Sequence, residues 1–314
     1  MFEEYKDVNI LKINNKSIKI KKIDGIRIIN FRTILDREIK LGNHITIISG
    51  KNGTMKSSIL GLIAHPFVSE NSAIDCFNKP LKTDLKDVFS LSAEKDNVEN
   101  GYNYEICFKD TNDNKLKENV RIYKSSEKHR DFRIDVGGRS KENGFFYLNT
   151  SFVSLNRLIP IVDTNAQKNP RTVDKDLLEF ISEGYQKIMT KSDFMNTHLV
   201  SEKNRKYTFA PSDESIYDYK SISTGEDNIG YILNKLYSFK KYSNDINNRL
   251  QGILCIDEIE NSLHPTVLSN LLNYLYNFSC RYNIQIVLTS HSLYLLQLAI
   301  ELREKNKKVL KLIL

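Results

Sequence analysis

The chain has 314 residues, 40% hydrophobic and 27% charged, a balance that excludes wholesale disorder and supplies a full core for one large domain or two smaller ones. Its 46 Lys and Arg against 39 Asp and Glu leave a net charge of +7, which is compatible with a nucleic-acid partner but more commonly reflects a mildly basic solvated surface. Cys76, Cys107, Cys255 and Cys280 form no C-x-x-C, so reduced thiols in a cytoplasmic setting are expected; no run approaches ~18 apolar residues, and MFEEYKDVNI lacks an apolar segment behind a basic start, so neither a membrane-spanning helix nor a secretory signal is expected.

Residues 8–35 alternate charged and β-branched residues, which predicts antiparallel strands with turns at Asn14-Asn15 and Asp24-Gly25 and with Lys16, Lys19, Lys21 and Lys22 on the wet face. HITIISG, residues 44–50, reads as a short buried strand ending in Gly, and KSSILGLIA, 56–64, as a helix. Residues 68–145 are polar and turn-rich, with strand-like YNYEICFK and VRIYKS between the turns, which predicts a β-rich insertion with exposed hairpins. FFYLNTSFVSL, 145–155, reads as a return to a core strand. From about residue 172 the pattern is helical, with Leu177, Phe180, Ile181, Tyr185 and Ile188 on one face and Thr172 as N-cap. Residues 203–215 read as a loop. A second amphipathic helix follows Gly225, with Ile229, Ile232, Leu233, Leu236 and Phe239 on one side. The last hundred residues alternate buried strands (GILCIDE, IQIVLTSH, KKVLKLIL) with helices (HPTVLSNLLNYLYNFS, SLYLLQLAIELREKN), the pattern of a mostly parallel α/β sheet. No long heptad run or internal repeat occurs.

Four local motifs carry chemistry. Gly50-Lys51-Asn52-Gly53-Thr54-Met55-Lys56-Ser57 matches G-x-x-x-x-G-K-[ST] except that Met55 replaces the second Gly. In such a loop, between a strand and a helix, backbone N–H groups surround a phosphate, Lys56 reaches the β- and γ-phosphates, and the Ser57 hydroxyl binds Mg²⁺. Asn52, Gly53, Thr54, Met55 and Ser58 complete the loop as candidate nucleotide-binding residues. Ile253–Ile256 followed by Asp257 and Glu258 reads as a buried strand delivering two carboxylates at its C-terminal end. Asp257 would hold Mg²⁺ and Glu258 would polarise a water, although a strand leaving through two acids into solvent gives the same pattern. Ser223-Thr224-Gly225-Glu226 opens a helix; it reads as an anion site, though taken alone an ordinary N-cap is the preferred reading. Thr289-Ser290-His291 ends a strand, where His291 would contact a γ-phosphate or serve structure alone.

The order of these four motifs resembles that of the ABC-type ATPases. Ile222–Glu226 is similar to the ABC signature, and Glu258-Ile259-Glu260-Asn261-Ser262-Leu263-His264-Pro265 is similar to the dimer loop of the SMC-like and OLD-like branch. Asn30-Phe31-Arg32 and Asn52-Gly53 resemble the same branch, which includes stand-alone ATPases of bacterial anti-phage systems of the Septu and retron-associated types. The resemblance covers residues ~25–65 and ~220–314 and only loosely the middle. It implies an α/β ABC ATPase head: a mostly parallel sheet with helices on both faces, an antiparallel N-terminal β part and a helical signature subdomain. Residues 1–67 would be the N-terminal part and phosphate loop, 68–145 the insertion, 146–245 the signature subdomain, and 246–314 the part bearing the acids and His291.

The resemblance further implies ATP and Mg²⁺ as cofactors, Phe31 and Arg32 among the nucleotide contacts, and Glu258 and His291 as catalytic residues. Ser223 and Gly225 would act on nucleotide bound by a second copy, in a homodimer or a higher even oligomer. A Gln-loop equivalent is expected within Asn149–Pro160, with Asn156 or Arg157 substituting. The implied role is an ATP-driven switch in anti-phage defence or DNA maintenance that controls a separate nuclease or toxin. Met55 puts fast hydrolysis in question and keeps a non-hydrolysing scaffold open; a transporter subunit fits the dimer loop less well, and no membrane partner is expected. OLD-like proteins continue into a nuclease domain, whereas this chain reaches Leu314 without another acidic cluster, so no cutting of its own is expected. DNA or RNA is a further candidate partner, through Lys124, Lys128, Arg130 and Arg133, or Lys203, Arg205 and Lys206.

Overall fold

The computed structural model describes residues 2–75, 78–96, 98–99, 101–125, 132–138, 144–165, 167–168, 174–190, 196–201, 207–212, 218–243, 248–305 and 310–313. A five-stranded sheet forms the centre, in the order 149–153, 252–256, 284–290, 45–49, 310–313, with every neighbouring pair parallel. Gly252–Ile256 and Ile284–Ser290 are buried along their whole length, as continuous apolar runs in a covered parallel sheet must be. Ile253 and Cys255 face one apolar cluster, which also takes in the helix Lys56–Ala64. Leu254 and Ile256 face the other, with the helices Lys175–Met189, Thr224–Tyr242 and Pro265–Tyr282. Helices therefore lie on both faces.

A second sheet runs in the order 6–7, 115–124, 102–110, 20–31, 34–40, with 132–136 paired to 115–124; its pairs are antiparallel except that of 6–7 with 115–124, which is parallel. Its strands 102–110, 115–124 and 132–136 come from the stretch read as an insertion. Tyr102–Asp110 pairs directly with Ile20–Phe31, so these strands complete the N-terminal sheet instead of standing apart as hairpins. Two other local expectations are corrected. Residues 8–11 and 15–17 make single 3₁₀ turns, and the strand begins only at Ile20. That strand also runs straight through Asp24-Gly25, where its register shifts against residues 102–110. A Cβ on Gly25 would stand 2.1 Å from the Ile39 carbonyl oxygen, so Gly is required by the close approach of a bulge and not by a turn.

Within residues 203–215 the chain forms a strand, Tyr207–Ser212, antiparallel to Asn196–Ser201. The helix 175–189 buries Leu177, Phe180, Ile181, Tyr185 and Ile188 as expected, but its N-cap is Asp174, whose side chain accepts from the Asp176 N–H; Thr172 lies outside the described residues. Gln285 joins the two sheets. Its amide nitrogen donates to the Ile23 and Gly42 carbonyls at 2.9 and 2.7 Å, and its oxygen accepts from the Ile23 N–H at 2.8 Å.

Candidate functional site

The strand Ile45–Ser49 delivers residues 50–55 to the C-terminal edge of the parallel sheet, where ligands of open α/β sheets sit. Asn52, Gly53 and Thr54 are exposed, and the Thr54 hydroxyl donates to the Lys51 carbonyl at 2.8 Å. The Lys56 ammonium folds back under the loop, donating to the Gly50 and Lys51 carbonyls at 2.9 Å each. Met55 precedes the helix with φ 63° and ψ 22°. That is the left-handed conformation for which Gly is suited, and it costs an L-residue about 1–2 kcal/mol. Its sulfur lies 3.8 Å from the Ser58 hydroxyl, along the flank of the helix.

Across the edge stands Asp257, one residue beyond the strand Gly252–Ile256. The Ser57 hydroxyl donates to Asp257 Oδ2 at 2.7 Å, joining groups 200 residues apart. The Thr289 hydroxyl donates to Asp257 Oδ1 at 2.6 Å and accepts the Glu258 N–H at 2.8 Å. Sequence reasoning placed Thr289 beside His291 but gave it no role. Its signal is the register: Ile256 pairs with Leu288, which sets Thr289 opposite Asp257. A hydroxyl and a carboxylate at the head of a phosphate loop form the hard oxygen donor set that suits Mg²⁺, and Lys56 with the helix N-terminus suits a triphosphate. The residues present therefore fit a magnesium nucleotide.

Glu258 follows with φ 45°, and its Oε2 accepts from Asn261 Nδ2 at 2.6 Å. His291 is exposed. Its backbone N–H donates to Glu260 Oε1 at 2.8 Å, and its ring Nδ1 lies 3.4 Å from the same oxygen. Asp257, Glu258, Ser57, Lys56 and His291 thus gather along one edge of the sheet. Ser223 and Gly225 contact other groups. Ser223 forms a capping box with Glu226, and Gly225 backs onto Ser262, whose carbonyl oxygen would lie 2.7 Å from an added Cβ.

The structure bears on three expectations here, and the first is corrected. Phe31 is fully buried between the rings of Phe89 and Tyr102, at 5.1 and 4.8 Å, so it belongs to the core and offers no face to a nucleotide. Arg32 grips Asp96 with two hydrogen bonds of 2.9 and 3.1 Å and holds that carboxyl down at about 2. In the Gln-loop region, Asn156 is exposed, whereas Arg157 is buried and donates to the Glu258 carbonyl. A cavity of about 930 Å³ opens at the other end of the helix, beside His65 and Phe89, and none of the site residues lines it. Of the candidate basic residues, Lys124 donates to the Ala93 carbonyl and Arg133 lines this cavity. Lys128, Arg130, Lys203, Arg205 and Lys206 lie outside the described residues.

Known proteins are similar to this chain in part of the sequence and in fold. The family model of an AAA ATPase domain matches residues 148–296, the part that holds Asp257, Glu258 and His291. An SMC head bound to the C-winged-helix domain of ScpA is similar over 88% of this chain and 92% of its own, at 12% identity and a TM-score of 0.51. An SMC head with an extended coiled coil, bound to the C-terminal domain of ScpA, from Pyrococcus furiosus, is similar over 88% and 91%, at 10% identity and a TM-score of 0.50. No curated protein matches. The chain has the α/β ATPase-head fold of the SMC heads. The phosphate loop at 50–57 precedes the matched segment and is tied to it by the Ser57–Asp257 bond. Among the described residues no helix is long and apolar enough to cross a membrane.

Proposed function

We propose that this chain binds Mg²⁺-ATP and hydrolyses it, and that two copies, or a higher even number, close head to tail over the nucleotide. The closed state would control a separate effector, a nuclease or a toxin, in anti-phage defence or DNA maintenance, with DNA or RNA as a further candidate partner. The observation that carries this reading is the hydrogen-bonded chain Ser57–Asp257–Thr289–Glu258, which unites the phosphate loop with both acids.

Lys56 would exchange the Gly50 and Lys51 carbonyls for phosphate oxygens. Ser57 and Asp257 would hold the cation, which supplies charge neutralisation on the phosphates when bound. Glu258 would take a proton from water as general base once its Oε2 leaves Asn261. The exposed His291 would sense the γ-phosphate. Ser223 and Gly225 would complete the site on a second copy, where one helix N-terminus alone is a modest anion site.

Glu258→Gln tests this reading. With saturating Mg²⁺-ATP the variant should accumulate a dimer in sedimentation velocity, and a variant that stays monomeric refutes the switch. A non-hydrolysing scaffold is the second reading, favoured by the left-handed Met55. It predicts ATP binding without phosphate release even when partner and DNA are present.

A further inference from the structure

The helix Thr224–Tyr242 and the turn 258–262 are held together by an unusual buried pair. Arg157 is 1% exposed, and its guanidinium reaches three segments. Nε donates to Asn228 Oδ1 at 2.8 Å, Nη1 to the Ser154 carbonyl at 3.0 Å, and Nη2 to the Glu258 carbonyl at 2.8 Å. Asn228, fully buried on the helix that Ser223 caps, turns its amide nitrogen to the Asn261 carbonyl at 3.0 Å. One Arg–Asn pair thus grips both ends of the turn. The helix backbone touches the turn as well, at Gly225 and Ser262.

From the same turn, two side chains run out to the reacting edge. Asn261 holds the Glu258 carboxylate at 2.6 Å, and Glu260 holds His291 at 2.8 Å. The turn carries strain, with Glu258 at φ 45° and Ser262 at φ 62°. Left-handed non-Gly residues are strained and persist only where their surroundings determine them. Burying a guanidinium is also costly, and an apolar side chain of similar volume would serve packing as well or better. Burial pushes the Arg157 guanidinium down to about 10, opposed by the nearby Asp257, and it stays charged at neutral pH. An arginine placed here with its fork engaged is therefore suited to setting position.

We propose that Arg157 and Asn228 are positioning residues that couple the first turns of the helix 224–242 to Glu258 and His291 through the turn 258–262. A second copy or nucleotide bearing on Ser223 and Gly225 then re-sets the general base of the same chain. Hydrogen bonds weaken steeply with distance and angle, so a small displacement of the helix suffices to release the turn. The coupling concerns the regulation of the ATPase site and rests on the reading given above.

The test separates the two bonds of Asn228. Asn228→Asp keeps the acceptor for Arg157 and loses the donor to Asn261; Arg157→Lys keeps the charge and loses the fork, and serves as the second variant if the first does not fold. Full-length protein is followed by ATP titration, by steady-state turnover, and by hydrogen exchange of the Ile259, Asn261 and Leu263 amides, which bond to Thr289, Glu258 and Glu260. The expected result is ATP affinity within about threefold of the parent, turnover lowered about tenfold or more, and exchange across the turn raised about tenfold. Parental turnover and parental exchange in both variants would overturn the coupling. If the parent itself shows no turnover, the ATPase reading fails separately, and the exchange comparison alone decides the coupling: raised exchange supports it and unchanged exchange overturns it.

Discussion

Thr289 is the smallest group on which both acids depend, and its removal has a calculable effect. Thr289→Val keeps the shape and deletes the hydroxyl in a fully buried position. Two bonds disappear, the donation to Asp257 at 2.6 Å and the acceptance from the Glu258 N–H at 2.8 Å. A hydrogen bond to a charged group contributes about 1.5–3 kcal/mol, and a buried N–H left without a partner costs about 1–3 kcal/mol. Asp257 retains Ser57, which moderates the first contribution, so unfolding in urea should show a loss of about 2–4 kcal/mol. Thr289→Ser, which keeps the hydroxyl and loses a methyl, should cost about 1 kcal/mol or less. Turnover of the Val variant should fall as well, because the Glu258 backbone loses its anchor. A stability loss below about 0.5 kcal/mol together with parental turnover would refute this role of Thr289.

Two further outcomes follow from the geometry. Met55→Gly relieves about 1–2 kcal/mol of left-handed strain but restores about 0.4–1 kcal/mol of unfolded-chain entropy and removes a half-buried side chain, so stability should change by no more than about 1 kcal/mol. Because the Met55 sulfur lies along the helix flank, ATP affinity should change by less than about threefold; a gain above about tenfold would show that Met55 crowds the phosphates. His65 is buried against the Gly61 carbonyl and Tyr104, and burial pushes it from 6.5 down to about 4. Below 6.5 the unfolded chain takes a proton that the folded chain refuses. Stability should therefore fall as pH drops from about 6.5 towards about 4, by about 2 kcal/mol at pH ~5. His65→Gln should lose that share of the acid sensitivity, and equal losses in parent and variant between pH ~7.5 and ~5 would refute the assignment.

The parallel sheet was legible because its strands are continuous apolar runs. Ile253–Ile256 and Ile284–Leu288 have no polar face except Gln285, and that residue bonds across to the other sheet. The helix 175–189 was legible from the spacing of five apolar residues that are all buried. The Ser57–Asp257 meeting followed from two short motifs, each placed by local pattern at the end of a strand. What escaped was non-local. Residues 102–136 alternate as hairpins do, and nothing in that alternation says which sheet they join. Phe31 was read locally as a nucleotide contact, yet its burial is decided by Phe89 and Tyr102 from elsewhere in the chain. Arg157 was singled out as a substitute ligand, whereas its partners Asn228 and Glu258 are brought to it only by packing of the helix against the sheet. The Gly25 bulge reads locally as an Asp-Gly turn, because the Ile39 carbonyl that forbids a side chain is on another strand.

The central claim is that Ser57 and Asp257 meet in order to hold a cation beside a nucleotide on Lys56. Calorimetric titration of ATP, with and without Mg²⁺, into the parent and into Asp257→Ala tests it most directly. Mg²⁺ should tighten ATP binding by about tenfold or more in the parent and by little in the variant. The same Mg²⁺-dependent gain in both proteins would contradict the site described here.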